Sequence, residues 1–198
     1  MLVYLHGLNS SSQSHKAQVL REALAPLPVL APDYPAHQAD AAIAVLTGLF
    51  RELTEAGAAP AVVGSSMGGF YGQYLARRFP VSHLFMINPA LTPWDLLPDY
   101  AGETMTTARG ETYTLTAEGI AHTRAFGIAA PCEGDDDGVP TTLFLDRCDE
   151  VIDYRVAERL YQDCGRLWIY DGGDHAFQHL DEAIGVIRRT LSAQGRAA

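Results

Sequence analysis

The stretch Ala61-Val62-Val63-Gly64-Ser65-Ser66-Met67-Gly68-Gly69-Phe70-Tyr71 decides the reading of this chain. Its opening residues are apolar and β-prone and read as a short buried strand, Ala61 to Gly64. The glycines interrupt it, and the residues that follow read as a helix to about Phe79, stopped by Pro80. Gly64, Ser66 and Gly68 therefore fit G-x-S-x-G between a strand and a helix, the setting in which that spacing holds a serine on a sharp turn. A serine hydroxyl is a weak nucleophile at neutral pH, so it needs a turn that a base and a carbonyl carbon can both reach. Ser66 is the candidate nucleophile, and the spacing to both glycines selects it over Ser65. A phosphate-binding turn would call for a basic residue, and residues 64 to 72 carry none.

Outward from this turn, strand and helix patterns alternate. Short apolar runs at 1–5, 29–31, 83–87, 142–145 and 167–170 read as strands. Helical periodicity is expected over 15–25, 40–56, 154–164 and 177–191, with a frayed tail from Ser192. Continuous apolar strands separated by helices predict a mostly parallel six-stranded sheet with helices on both faces. The segment from Thr92 to Val139 breaks the rhythm, with turn formers, short helical patterns near 93–100 and 116–126, and an acidic run from Glu133 to Asp137 read as a solvated loop. One domain is expected over 1–198, with 92–139 as an excursion from its core. In such a sheet, ligands sit at the carboxyl ends of the strands, so the loops there should converge on one rim.

Composition narrows the class without naming a chemistry. The 198 residues are 47% apolar and 19% charged, ordinary for a globular domain. Fourteen Lys and Arg against 24 Asp and Glu leave a net charge of −10, which disfavours nucleic acid, anionic membranes and highly anionic substrates. Arg109 and Arg124 in the excursion offer a local exception. No apolar run approaches the ~18 residues of a membrane span, and no secretory leader is expected at the N-terminus. Cys132, Cys148 and Cys164 are odd in number and lack CxxC spacing, which argues against a disulfide framework or zinc ribbon and favours a reducing, cytoplasmic compartment.

The remaining chemistry is sought on the rim loops. A base should be a histidine on a late loop, and His175 in Asp171-Gly172-Gly173-Asp174-His175-Ala176-Phe177 lies between the last strand and the last helix. His179 is the weaker alternative. The i, i+4 pair of histidines lacks the Glu of a zinc-binding H-E-x-x-H, so no metal and no cofactor are expected. The carboxylate that orients the base is Asp149, with Asp146, Glu150 and Asp153 competing in the same loop. Oxyanion donors are expected from the backbone N–H groups of Met67 and Leu8, the latter in the loop opened by His6-Gly7. His6 is expected chiefly to orient that loop. Asn88 in Asn88-Pro89-Ala90 reads as a turn residue with a possible substrate contact. Trp94, Leu96, Leu97 and Tyr100 are expected to line an apolar pocket over the serine or to pack the excursion, and Trp94 and Leu97, with His6 and Asn88, are the substrate-contact candidates.

With these pieces placed, the chain resembles an α/β-hydrolase, and more narrowly the small bacterial esterase family called YqiA/YcfP-like. The resemblance runs to about Leu191. It rests on Tyr4-Leu5-His6-Gly7-Leu8-Asn9-Ser10-Ser11, Pro32-Asp33-Tyr34-Pro35, Gly64 to Tyr71, Asn88-Pro89-Ala90, Asp149 to Arg155 and Gly172 to Phe177. It implies a minimal hydrolase fold with a small lid, and esterase or thioesterase activity on a small-molecule acyl substrate. It also implies Ser66, Asp149 and His175 as the triad with Leu8 and Met67 as oxyanion donors. Leu8 stands where the family often has an aromatic, and the acidic run looks like a local elaboration. An acyltransferase with the same triad, or a binding protein on the same fold, are the competing readings.

Overall fold

A computed structural model describes residues 1–133 and 138–194. Six strands form the main sheet: β1 (Leu2–Leu5), β2 (Val29–Leu30), β3 (Ala61–Ser65), β4 (His83–Ile87), β7 (Thr141–Asp146) and β8 (Gly165–Tyr170). Their order is β2-β1-β3-β4-β7-β8, and every neighbouring pair is parallel. The flanking helices are α1 (His15–Ala23), α2 (Ala39–Glu55), α3 (Met67–Ala76), α6 (Tyr154–Tyr161) and α7 (Leu180–Gln194). The expected sheet is thus present, with helices ending a few residues from where periodicity placed them.

Strand residues alternate between two cores, which is why the runs are apolar without a polar face. Val3, Leu5, Val62, Leu84, Met86, Leu143 and Leu145 pack under α2, α3 and α6. Leu2, Tyr4, Ala61, Val63, Phe85, Ile87 and Phe144 pack under α1 and α7. Burial on both faces leaves only the strand ends open. The chain leaves β1 for β2 on one side and returns to β3 on the other, so β1 and β3 flank a topological switch point. Their carboxyl ends carry His6-Gly7-Leu8 and Ser66 respectively, the place where this architecture opens a crevice.

The excursion is more structured than its sequence suggests. It holds α4 (Pro93–Leu96), a 3-10 turn at Pro98–Tyr100, an antiparallel hairpin of β5 (Thr104–Thr106) and β6 (Thr112–Thr114), α5 (Ala117–His122) and a second 3-10 turn at Thr123–Phe126. The hairpin was not expected. Three-residue strands with exposed Thr at both ends offer too little alternation to read, and Gly110, at φ +81°, supplies a turn conformation open to it. The acidic run falls mostly outside the described residues, as does the end of the tail. No described helix is long and apolar enough to cross a membrane.

One expectation is corrected. Cys132, at the end of the excursion, forms a disulfide with Cys164, just before β8, with Cα atoms 5.3 Å apart. Cys148 is left free and exposed. An odd count cannot exclude one pair, and the fold brings together two cysteines 32 residues apart in sequence. The argument from unpaired thiols for a reducing compartment falls with it.

Candidate active site

The G-x-S-x-G spacing has a steric cause here. Ser66 sits between β3 and α3 with φ 54° and ψ −121°, a conformation that costs an ordinary residue on the order of 1–3 kcal/mol. Backbone bonds hold it there: Ser66 N–H donates to the Ile87 carbonyl at 3.0 Å, and its own carbonyl accepts from Gly69 at 2.9 Å and Ala90 at 3.1 Å. A Cβ on Gly64 would lie 2.3 Å from the Gly68 carbonyl oxygen, and one on Gly68 would lie 2.0 Å from that of Leu5. Any other residue at either position would push α3 off the sheet. Ser66 is half-buried, whereas Ser65 is buried with its hydroxyl against the Tyr4 phenol, so only Ser66 faces the rim.

The His175 loop leaves β8 with three residues in left-handed conformation: Gly172 (φ 78°), Gly173 (φ 75°) and Phe177 (φ 67°). Phe177 nevertheless drives its ring into the core, and its backbone delays α7 to Leu180 rather than 177. His175 Nδ1 lies 2.9 Å from Asp149 Oδ2 and 3.1 Å from Oδ1. The Asp149 side chain is 1% exposed and that of His175 27%, so the carboxylate is shielded while the imidazole reaches solvent. Asp149 Oδ1 also accepts the N–H groups of Val151 and Ile152, at 2.9 and 2.8 Å, and Glu150 accepts the His175 N–H at 2.9 Å. Among the rival carboxylates, Asp153 caps α6 and binds Arg155. Among the described residues no hydrogen bond joins the Ser66 hydroxyl to His175. The carboxylate–imidazole contact is formed.

The loop opened by His6-Gly7 lies against the serine. A Cβ on Gly7 would sit 3.0 Å from Ser66 Cβ and 3.5 Å from its Oγ, so the backbone approaches Ser66 closely. His6 is buried, stacks on Tyr34 at 4.3 Å, and holds Nδ1 2.9 Å from the Gly7 carbonyl. Burial keeps its imidazole below the ordinary histidine range, so it is neutral near pH 7 and orients the loop. The Leu8 side chain packs on both the main core and the small cluster of Leu97, Leu115 and Ile120.

Three of the substrate-contact candidates make contacts within the protein. Asn88 is buried and spends both ends of its amide: Oδ1 accepts the Asp146 N–H at 2.9 Å, and Nδ2 donates to the Asp174 carbonyl at 3.0 Å. Leu97 is buried in the excursion's own cluster, with Leu96 and Tyr100 packed around it. Trp94 stands edge-on to Phe70 at 6.4 Å, beneath the Arg124 guanidinium at 4.9 Å. A cavity of about 440 Å³ lies beside the His6-Gly7-Leu8 loop, with a polar lining that includes His6, Asn9, Asp33, His37, Arg109 and Glu111. The hairpin closes it: Ala108 N–H donates to the Asn9 carbonyl at 3.1 Å, Tyr113 to the Asn9 side chain at 2.6 Å, and Arg109 pairs with Asp33 at 3.3 Å.

Sequence reasoning missed a second carboxylate–imidazole couple. His179 Nδ1 lies 2.6 Å from Asp146 Oδ1, and the Asp146 side chain is fully buried. It also missed Lys16 on α1, whose ammonium burial holds below its ordinary range against the opposing pull of Asp174, Asp146 and Asp149. Asp146 and His179 were visible only as rivals to Asp149 and His175.

A family model described as "Uncharacterised protein family (UPF0227)" matches residues 1–190. The chain belongs to this family. UPF0227 is the YqiA family, so the resemblance read from the motifs holds. Solved structures agree on the α/β-hydrolase fold. Est1E from Butyrivibrio proteoclasticus is 15% identical, with a TM-score of 0.73 over 98% of this chain and 87% of its own. Alpha/beta hydrolase domain-containing protein 10 from mouse is 16% identical, with 0.73 over 98% and 90%. Paleococcus ferrophilus monoacylglycerol lipase is 15% identical, with 0.67 over 97% and 93%.

Proposed function

We propose that this UPF0227 member is a serine hydrolase of carboxylic esters or thioesters that works through an acyl-enzyme. The observation that carries the reading is the Asp149–His175 contact at 2.9 Å, shielded on the carboxylate side, on the same rim as a serine held in a left-handed turn. Ser66 Oγ attacks the acyl carbon as its proton passes to His175 Nε2. Asp149 holds the proton on Nδ1, which leaves Nε2 free to accept, and offsets the charge of the imidazolium. The oxyanion takes the Leu8 and Met67 N–H groups, which among the described residues donate to no protein acceptor. The C–O or C–S bond then breaks, the leaving group takes the proton from Nε2, and water repeats the sequence to release the acid.

The excursion serves as a small lid, tied to the rim through Asn9 and Asp33. The polar cavity beneath it favours a short or polar acyl group over a long lipid chain. That the structural neighbours bear the names of esterases and lipases agrees with this reading. A fluorophosphonate probe is expected to label the wild-type protein and to leave Ser66→Ala unlabelled. An unlabelled wild type overturns the proposal.

A further inference from the structure

We propose that Asn88 and Asp146 are positioning residues that tie the turn carrying Ser66 to the loop carrying His175, with the Asp146–His179 couple serving as the fastener of that loop. The inference deepens the serine-hydrolase reading and rests on it for its kinetic arm.

Three loops end on the rim after β4, β7 and β8, and nothing in their sequences keeps them in register. Asn88 does so with one side chain. It follows β4 directly, at φ 39°, and its N–H donates to the Phe144 carbonyl of β7 at 3.0 Å. Two residues on, the Ala90 N–H holds the Ser66 carbonyl. From this anchor beside the nucleophile, the amide bonds the Asp146 backbone at the end of β7 and the Asp174 carbonyl next to His175. An aspartate would lose the donor, and an aliphatic residue would lose both bonds.

Asp146 completes the connection. Its carboxylate accepts the Gln178 N–H at 2.8 Å on Oδ2 and faces His179 Nδ1 at 2.6 Å on Oδ1. Gly173 passes so close that a Cβ there would lie 1.9 Å from Oδ2. The loop from 173 to 179 therefore wraps one buried carboxylate, and His175 lies on the arc. The His179 ring lies flat on Tyr170, 4.5 Å away at 7°, where it packs against the end of β8. Displacement of a reacting group by about 1 Å costs on the order of 100-fold in rate, so such a tether has a kinetic consequence without touching the substrate.

The test compares Asn88→Ala and Asp146→Asn with wild type. Turnover of a short p-nitrophenyl ester is expected to fall about 10- to 100-fold in kcat, with KM changed by no more than about threefold. The rate of fluorophosphonate labelling should fall in parallel. The second readout needs no turnover: the downfield imidazole N–H resonance of the His175–Asp149 contact, assigned by its loss in His175→Ala, should broaden or exchange faster in both variants. Wild-type kcat with a wild-type resonance overturns the proposal, as does a reduced kcat with the resonance intact. Should Asp146→Asn fail to fold, Asn88→Ala decides alone, because it leaves the carboxylate and both its side-chain and backbone donors in place. If the wild-type protein takes no label, the hydrolase reading fails while the resonance still reports on the tether.

Discussion

Two carboxylate–imidazole couples lie side by side on the rim, built from the same two loops. Asp146 ends β7 and Asp149 follows it, and His175 and His179 both follow β8. Asp149–His175 leaves its imidazole ring partly exposed, with a carboxylate braced by two backbone N–H groups. Asp146–His179 is about as exposed on the imidazole side, at 24% against 27%, yet its ring is stacked on Tyr170 and its carboxylate is packed under Gly173. Exposure does not separate them. What separates them is what the carboxylate holds besides its histidine: a tight turn in one case, the whole neighbouring loop in the other. A histidine beside an aspartate is thus equally suited to proton transfer or to fastening, and the surrounding backbone decides which.

The largest effect should come from the first couple. His175→Ala is expected to lower ester turnover by roughly 10⁴- to 10⁶-fold and Asp149→Asn by about 10⁴-fold, with melting temperatures close to wild type. An active Asp149→Asn beside a dead, folded Asp146→Asn would exchange the two roles and break the comparison. His179→Gln probes the second couple: it should cost stability, about 1–3 kcal/mol by denaturant titration, because Asp146 is left buried with a partner lost. Its kcat should fall by no more than about tenfold. A turnover loss matching that of His175→Ala would show that both couples serve chemistry.

The smallest effect concerns a third histidine that has no carboxylate. His83 on β4 stacks on Phe85 at 4.1 Å and places Nε2 2.9 Å from Thr142 Oγ1, while burial, aided by Arg166, pulls its pKa down to about 4. Its unfolded value is about 6.5, so between the two values the unfolded chain binds the extra proton. The neutral ring's contribution is therefore intact above about pH 6.5, declines as pH falls, and is fully lost below about pH 4. The loss is on the order of 1–2 kcal/mol once partial solvent contact of the ring is allowed for. Thermal melts of His83→Gln across this range should show a weaker acid dependence than wild type. Equal slopes would remove His83 from the account.

Much of the site was legible because its pieces are local. G-x-S-x-G is readable since Gly64 and Gly68 answer to contacts within a few residues of Ser66 and to the strand beside it. The Gly172-Gly173 pair before His175 marks a turn for the same reason. The choice between Asp146 and Asp149 was less secure, because the residues are three apart and either could face a histidine four residues from the other. The hairpin at 104–114 was invisible, since its side chains are mostly exposed and leave no period. The disulfide is not legible, since Cys132 and Cys164 lie 32 residues apart with no spacing motif to link them.

The sequence by itself determined the alternation of buried strands and amphipathic helices, the strained serine turn between a strand and a helix, and the set of carboxylates and histidines available at the rim. These depend on periodicity and on chain geometry over a few residues. Only the tertiary structure decided which carboxylate meets which histidine, that Asn88 bridges loops rather than lining a pocket, that Leu97 packs within the excursion, and that Cys132 finds Cys164. The carboxylate–histidine pairing and the Asn88 bridge depend on parallel strands distant in sequence ending side by side, and the strand order that brings them together is written in no single segment; the Leu97 cluster and the disulfide depend on contacts between segments that no local pattern announces.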